Sequence, residues 1–163
     1  MSMPSGPMSL GITDRVKPIL DRVTEMVRDE ITPASHEFES LIGSTGNRWE
    51  YAPRMTEILE GLKAKAKAEN LWNFWLTDSK RGYGLSVVEY AYLAEQMGKA
   101  HLGAETFNCS APDTGNMEVL ERYGNEDHKE RWLKPLLAGE IRSAYLMTEP
   151  AVASSDATNM RMK

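Results

Sequence analysis

The chain has 163 residues, 26% of them charged and 41% hydrophobic, with a formal net charge of −5. That composition is ordinary for a globular domain, and a chain this long buries roughly 68–70% of its unfolded surface, enough for a core without staples. The acidic balance argues against a nucleic-acid surface, which requires a basic face, though it leaves room for a small anionic ligand held by a few local donors. A single cysteine, Cys109, excludes an internal disulfide and suggests a reducing, cytoplasmic setting. No apolar run approaches the ~18 residues needed to cross a bilayer, so a membrane role is not expected.

In chain order, residues 1–11 read as a flexible leader, because "MSMPSGPMSLG" has neither the charged start nor the apolar run of a secretory signal. From about Thr13 to Ile42 the apolar residues Val16, Ile19, Leu20, Val23, Val27, Ile31 and Phe38 recur at helical spacing, with Pro33 expected to kink or break the helix near its middle. "GSTGNRW" is loop by composition, and a second helix is predicted from Pro53 to about Asn70. The aromatic "LWNFW" reads as core. Lys63, Lys65 and Lys67 read as a solvated helix face. Ser86-Val-Val-Glu89 is a capping box that opens a helix running to about Gly98. "AHLGAETFNCSA" predicts a further short helix. Asp113 or Thr114 is expected to cap the next, which closes at Gly124, and Asn125 caps one that ends near Gly139.

The period then changes. Ile141, Tyr145 and Met147 alternate within "EIRSAYLMT", which predicts an extended segment over 141–148. A lone strand cannot end a domain stably, so it reads as the first strand of a sheet whose other strands are absent. The expected fold is therefore all-α: an up-and-down helical bundle over 12–139, followed by the start of a β-domain over 140–163.

The common chemistries find little support. His36, His101 and His128 lie apart, with no metal-ligand spacing, so no metal site is expected. There is no Gly-x-Ser-x-Gly elbow, no Gly-x-Gly-x-x-Gly and no Walker loop. Cys109 reads as a buried structural thiol rather than a nucleophile. What remains is "YLMTEPAVASSDATN", Tyr145 to Asn159. There a strand would end at Met147 and Thr148, Pro150 would stop the ladder, and backbone amides would be released beside small residues and the hydroxyls of Thr148, Ser154 and Ser155. A flat heteroaromatic ring with alternating carbonyls and nitrogens would be satisfied by that set. Ser-Ser-Asp is equally ordinary turn chemistry, so spacing alone leaves a capped loop as the alternative.

The stretch "AYLMTEPAVASSD" resembles the N-terminal flavin signature of the acyl-CoA dehydrogenase family. "KAKAENLWNFWL", "GLSVVEYAYLAEQMGKA", "FNCSAPDTGNMEVLERYG" and "KERWLKPLLAGEIRSAYLMTEP" resemble that family's helical N-terminal domain, in unbroken order from about Ile12 to Lys163 and most like the branch of its members 10 and 11. The resemblance implies an FAD cofactor with Tyr145, Met147 and Thr148 along the pyrimidine edge of its ring, Ser154 beside it, and Ser155 towards an acyl-CoA substrate. It also implies electron-transfer flavoprotein as the acceptor and a homo-oligomeric full-length form. Glu149 to Asp156 is seven steps where the common family loop has six, which leaves the choice between Ser154 and Ser155 open. Neither Glu149 nor Asp156 matches the family's catalytic carboxylate, so no catalytic residue is expected here and the chain alone is expected to be inactive. A non-catalytic helical binding module, or a flavin oxidase or monooxygenase on the same fold, are the alternative readings.

Overall fold

A computed structural model describes residues 11–77, 81–152 and 156–161. The chain divides into two compact units, Met1–Thr114 and Gly115–Lys163, and the described elements are helical, as the periodicities predict. In order they are α1 (Lys17–Met26), a π turn (Val27–Ile31), α2 (Thr32–Ser40), α3 (Pro53–Ala68), α4 (Val87–Met97), α5 (Gly103–Thr106), α6 (Asp113–Tyr123), α7 (Glu126–His128), a second π turn (Lys129–Leu133), α8 (Lys134–Ala138) and a 3₁₀ turn (Ala157–Asn159).

Pro33 does not break the first helix. α1, the π turn and α2 follow one another without a gap, and the backbone stays right-handed helical at Ile31 and Thr32. The ladder shifts register before the proline: the Thr32 N–H donates to the Val27 carbonyl, and the Thr32 hydroxyl donates to the same oxygen at 2.7 Å. Such an i→i−5 turn accommodates a residue that has no N–H to give. The device recurs at Pro135, where the Lys134 N–H donates to the Lys129 carbonyl at the end of the second π turn. In both cases the π turn ends one residue before the X-Pro pair.

Within the first unit, Val16, Val23, Met26, Ile31 and Phe38 from the long helix are buried together with Met55 from α3, Leu93 and Met97 from α4, and Phe74 and Phe107. α1 packs on α4, α2 on α3, and α5 on α3 and α4. The corner between α4 and α5 is tight. A Cβ on Gly103 would fall on the Met97 carbonyl, 2.9 Å from its carbon. The aromatic run behaves as core: Phe74 stacks at tilted angles on Tyr83 and Phe107, with centroids 5.1 and 5.7 Å away.

Two caps form as the sequence dictates. Ser86 and Glu89 make a reciprocal capping box, and the Asn125 side chain accepts from the His128 N–H at 2.8 Å. α8 ends at Gly139 in the left-handed region, φ 69°, as the closing glycine predicts. α3 stops two residues before the expected Asn70, because Asn70 itself takes a positive φ of 56° and Leu71 donates back to the Ala66 carbonyl. An asparagine thus fills the terminal role usually given to glycine.

Of the lysine row, Lys65 and Lys67 are exposed, as a solvated face requires, but Lys63 is buried. Lys63 is buried and pairs with Glu105 at 2.8 Å, Lys65 pairs with Glu30 at 2.5 Å, and Lys67 lies over the Trp72 ring at 4.5 Å. The Lys63 stem is covered while its ammonium reaches an acidic partner. Cys109 is a buried free thiol whose pKa burial pushes up to about 12. That suits a structural residue and disqualifies a nucleophile.

Among the described residues no β-ladder forms, and 142–149 carry no regular secondary structure. A strand is held by the hydrogen bonds of its neighbours, and no neighbouring strand is described here.

Candidate functional site

The predicted site residues fall in the second unit, just past α8. The Gly139 turn closes that helix, with Glu140 donating to the Pro135 carbonyl at 2.9 Å, and the chain then runs through residues 142–149 without a ladder. Side chains fix the course of this segment instead. At its start, the Asn116 carboxamide on α6 donates to the Ser143 hydroxyl at 2.8 Å and to the Ala144 carbonyl at 3.4 Å. At its end, both carboxylate oxygens of Glu149 accept from the Arg161 backbone N–H, at 3.2 and 3.0 Å. That second contact joins residues twelve apart and folds the chain back on itself.

Between these contacts Tyr145, Met147 and Thr148 line one cavity of about 600 Å³, whose rim also includes Glu149, Met160 and Arg161. The volume lies in the range of small-molecule sites. Tyr145 and Leu146 are strongly exposed, Leu146 at 93%. Three of the five sequence-predicted residues are thus brought together. The other two, Ser154 and Ser155, lie outside the described residues.

Asp156 caps the 3₁₀ turn that follows it. Its carboxylate accepts from the Thr158 N–H at 3.0 Å and from the Thr158 hydroxyl at 2.6 Å. These bonds lower its pKa from the ordinary value, because they favour the charged form. A second concavity of about 350 Å³ lies upstream, lined by Asn116, Val119, Trp132, Leu136 and Ile141 among others.

Sequence reasoning did not find Met160, Arg161 or Asn116. Arg161 contributes through its backbone, which no side-chain pattern signals, and Asn116 belongs to no recognised spacing.

A planar heteroaromatic ring needs donors and acceptors along one edge, and Thr148 in the cavity lining carries a hydroxyl that both donates and accepts. No group of three or more metal-ligating side chains occurs among the described residues. None of the described helices is long and apolar enough to cross a membrane.

The sequence profile described as "Acyl-CoA dehydrogenase, N-terminal domain" matches residues 13–140. The chain is 46% identical over 155 residues to acyl-CoA dehydrogenase family member 10 from Mus musculus, covering 92% of this chain and 14% of that protein. It is 46% identical over 149 residues to family member 11 from Rattus norvegicus, covering 90% of this chain and 18% of that protein. A solved Mycobacterium abscessus protein assigned to the acyl-CoA dehydrogenases superposes with a TM-score of 0.80 at 48% identity, over 93% of this chain and 38% of that one. The chain therefore spans less than a fifth of the first two relatives and under two fifths of the solved chain.

Proposed function

We propose, since the chain belongs to the acyl-CoA dehydrogenase family and carries its N-terminal domain, that it supplies the bundle and the first cofactor-contacting loop of an FAD-dependent acyl-CoA dehydrogenase. One observation carries this reading. Tyr145, Met147 and Thr148, which the resemblance implies lie along the flavin, line a single cavity of small-molecule size. In this reading the ring edge meets the backbone of Tyr145 to Thr148 and the Thr148 hydroxyl. The family resemblance implies Ser154 beside the ring and Ser155 towards the acyl-CoA. Bound there, the flavin would accept a hydride from the β-carbon of an acyl-CoA thioester, as in fatty-acid β-oxidation, and pass the electrons to electron-transfer flavoprotein. The residues of this chain bind and orient; the proton-abstracting carboxylate comes from elsewhere in a homo-oligomeric whole protein. A cytoplasmic setting suits the single reduced thiol.

Thr148→Val in the native protein carrying this sequence tests the assignment. Valine keeps the β-branched shape and removes only the hydroxyl. Loss of that bond, with a flavin acceptor left unpaired, should weaken FAD binding by about 1–3 kcal/mol, roughly five- to a hundredfold, with the helical far-ultraviolet spectrum unchanged. Titrating FAD into the apo forms, followed by flavin absorbance, reads this directly. Unchanged affinity with a lowered apo melting temperature would mean that Thr148 only secures its own loop.

A further inference from the structure

We infer that Asn116 is a positioning residue for the cofactor loop, a role that rests on the flavin reading above. A segment without a ladder keeps its shape only through discrete contacts, and the stretch that lines the 600 Å³ cavity lies between two of them. At its C-terminal end is the Glu149 carboxylate on the Arg161 N–H. At its N-terminal end is Asn116, whose Nδ2 group donates to the Ser143 hydroxyl at 2.8 Å and to the Ala144 carbonyl at 3.4 Å. The carboxamide nitrogen thereby reaches two consecutive residues, the second of them adjoining Tyr145.

Asn116 is carried on α6, an eleven-residue helix, so the contact ties the irregular stem to a regular element. The same side chain, with Ser143, also walls the smaller upstream concavity. It therefore stands where the chain passes from one hollow to the next. Asn116 does not line the cavity that holds Tyr145, Met147 and Thr148. It acts by fixing where the stem begins, and with it the angle at which the Tyr145 to Thr148 backbone faces a ring. A misplacement of about 1 Å in such a loop is enough to weaken hydrogen bonds that depend on direction.

The test is a double-mutant cycle in the native protein, with FAD dissociation constants and the visible circular dichroism of the bound flavin as readouts. Asn116→Ala removes both donated bonds and should raise the constant about three- to tenfold and alter the visible dichroism, because the ring sits at a changed angle. Ser143→Ala removes one acceptor and should have a smaller effect of the same sign. The effect of the double variant should be less than the sum of the two single effects, since the two residues share one contact. Unchanged affinity and dichroism in Asn116→Ala, with or without a lowered melting temperature, overturn the inference and leave the flavin reading standing. Strict additivity of the two variants overturns it as well. Absence of bound flavin from the wild type overturns both. Should Asn116→Ala fail to fold, Ser143→Ala carries the test alone: a raised constant with altered dichroism supports the inference, and no change in either refutes it.

Discussion

In the first unit, Glu89 is a strongly perturbed carboxylate. Its carboxylate accepts from the Thr13 hydroxyl at 2.5 Å, the Ser86 N–H at 2.8 Å and the Arg15 guanidinium at 2.7 Å. Together these lower its pKa from 4.5 to about 2, the Thr13 hydroxyl contributing most. All three partners favour the charged form. Because the folded value is depressed, the stabilisation is fully present above 4.5 and is lost as pH falls through about 2. The melting temperature of the wild type should therefore drop across that window. Glu89→Gln, which cannot ionise, should melt lower than wild type at pH 7, and the gap should narrow as the solution is acidified from pH 5 to pH 2. Melting curves in a pH series read both. A gap that stays constant across the window would show that Glu89 acts through packing and not through charge. Thr148 and Asn116 belong to the same scale: on the readings proposed above, one hydroxyl and one carboxamide decide how a loop meets its ligand.

At the scale of elements, the two proline-associated π turns show how local sequence and tertiary need are reconciled. An interior proline costs about 3 kcal/mol in a regular helix, and both long helices avoid a break by shifting hydrogen-bond register upstream of it. The α4–α5 corner depends instead on the absence of a side chain. Gly103→Ala would drive a Cβ into backbone at Met97, which cannot yield as a flexible side-chain tip would. Overpacking of this kind costs about 1–3 kcal/mol, so the variant should melt several degrees lower, with loss of the burial that surrounds Phe107. Thermal unfolding followed by circular dichroism checks it, and a melting temperature equal to that of wild type would contradict the close approach.

For the whole molecule, the family assignment sets what this length of chain does alone. On the function proposed above the base lies outside this stretch, and Glu149, which lines the cavity, accepts from the Arg161 N–H with both carboxylate oxygens. Proton transfer to a positioned base contributes roughly 10²–10⁴-fold. A preparation shown by mass to contain only these 163 residues should therefore oxidise no acyl-CoA in an assay with an artificial electron acceptor. Measured turnover would refute the assignment of roles.

The sequence by itself determined the helices, their principal caps and the family. Periodicity, the Ser86–Glu89 box, Asn125 and Gly139 are local signals, and local signals suffice where hydrogen bonds close within four or five residues. It also singled out Tyr145, Met147 and Thr148 through a contiguous motif. Only the tertiary structure decided that Pro33 is absorbed by a π turn, that Lys63 is buried against Glu105, and that the segment 142–149 is held by Asn116 and the Arg161 N–H. Each of these depends on a partner distant in sequence or on a backbone group with no side-chain signature. Buried ion pairs and pinned loops arise from what other segments bring within about 3 Å, and that proximity is a property of packing, which no short-range pattern encodes.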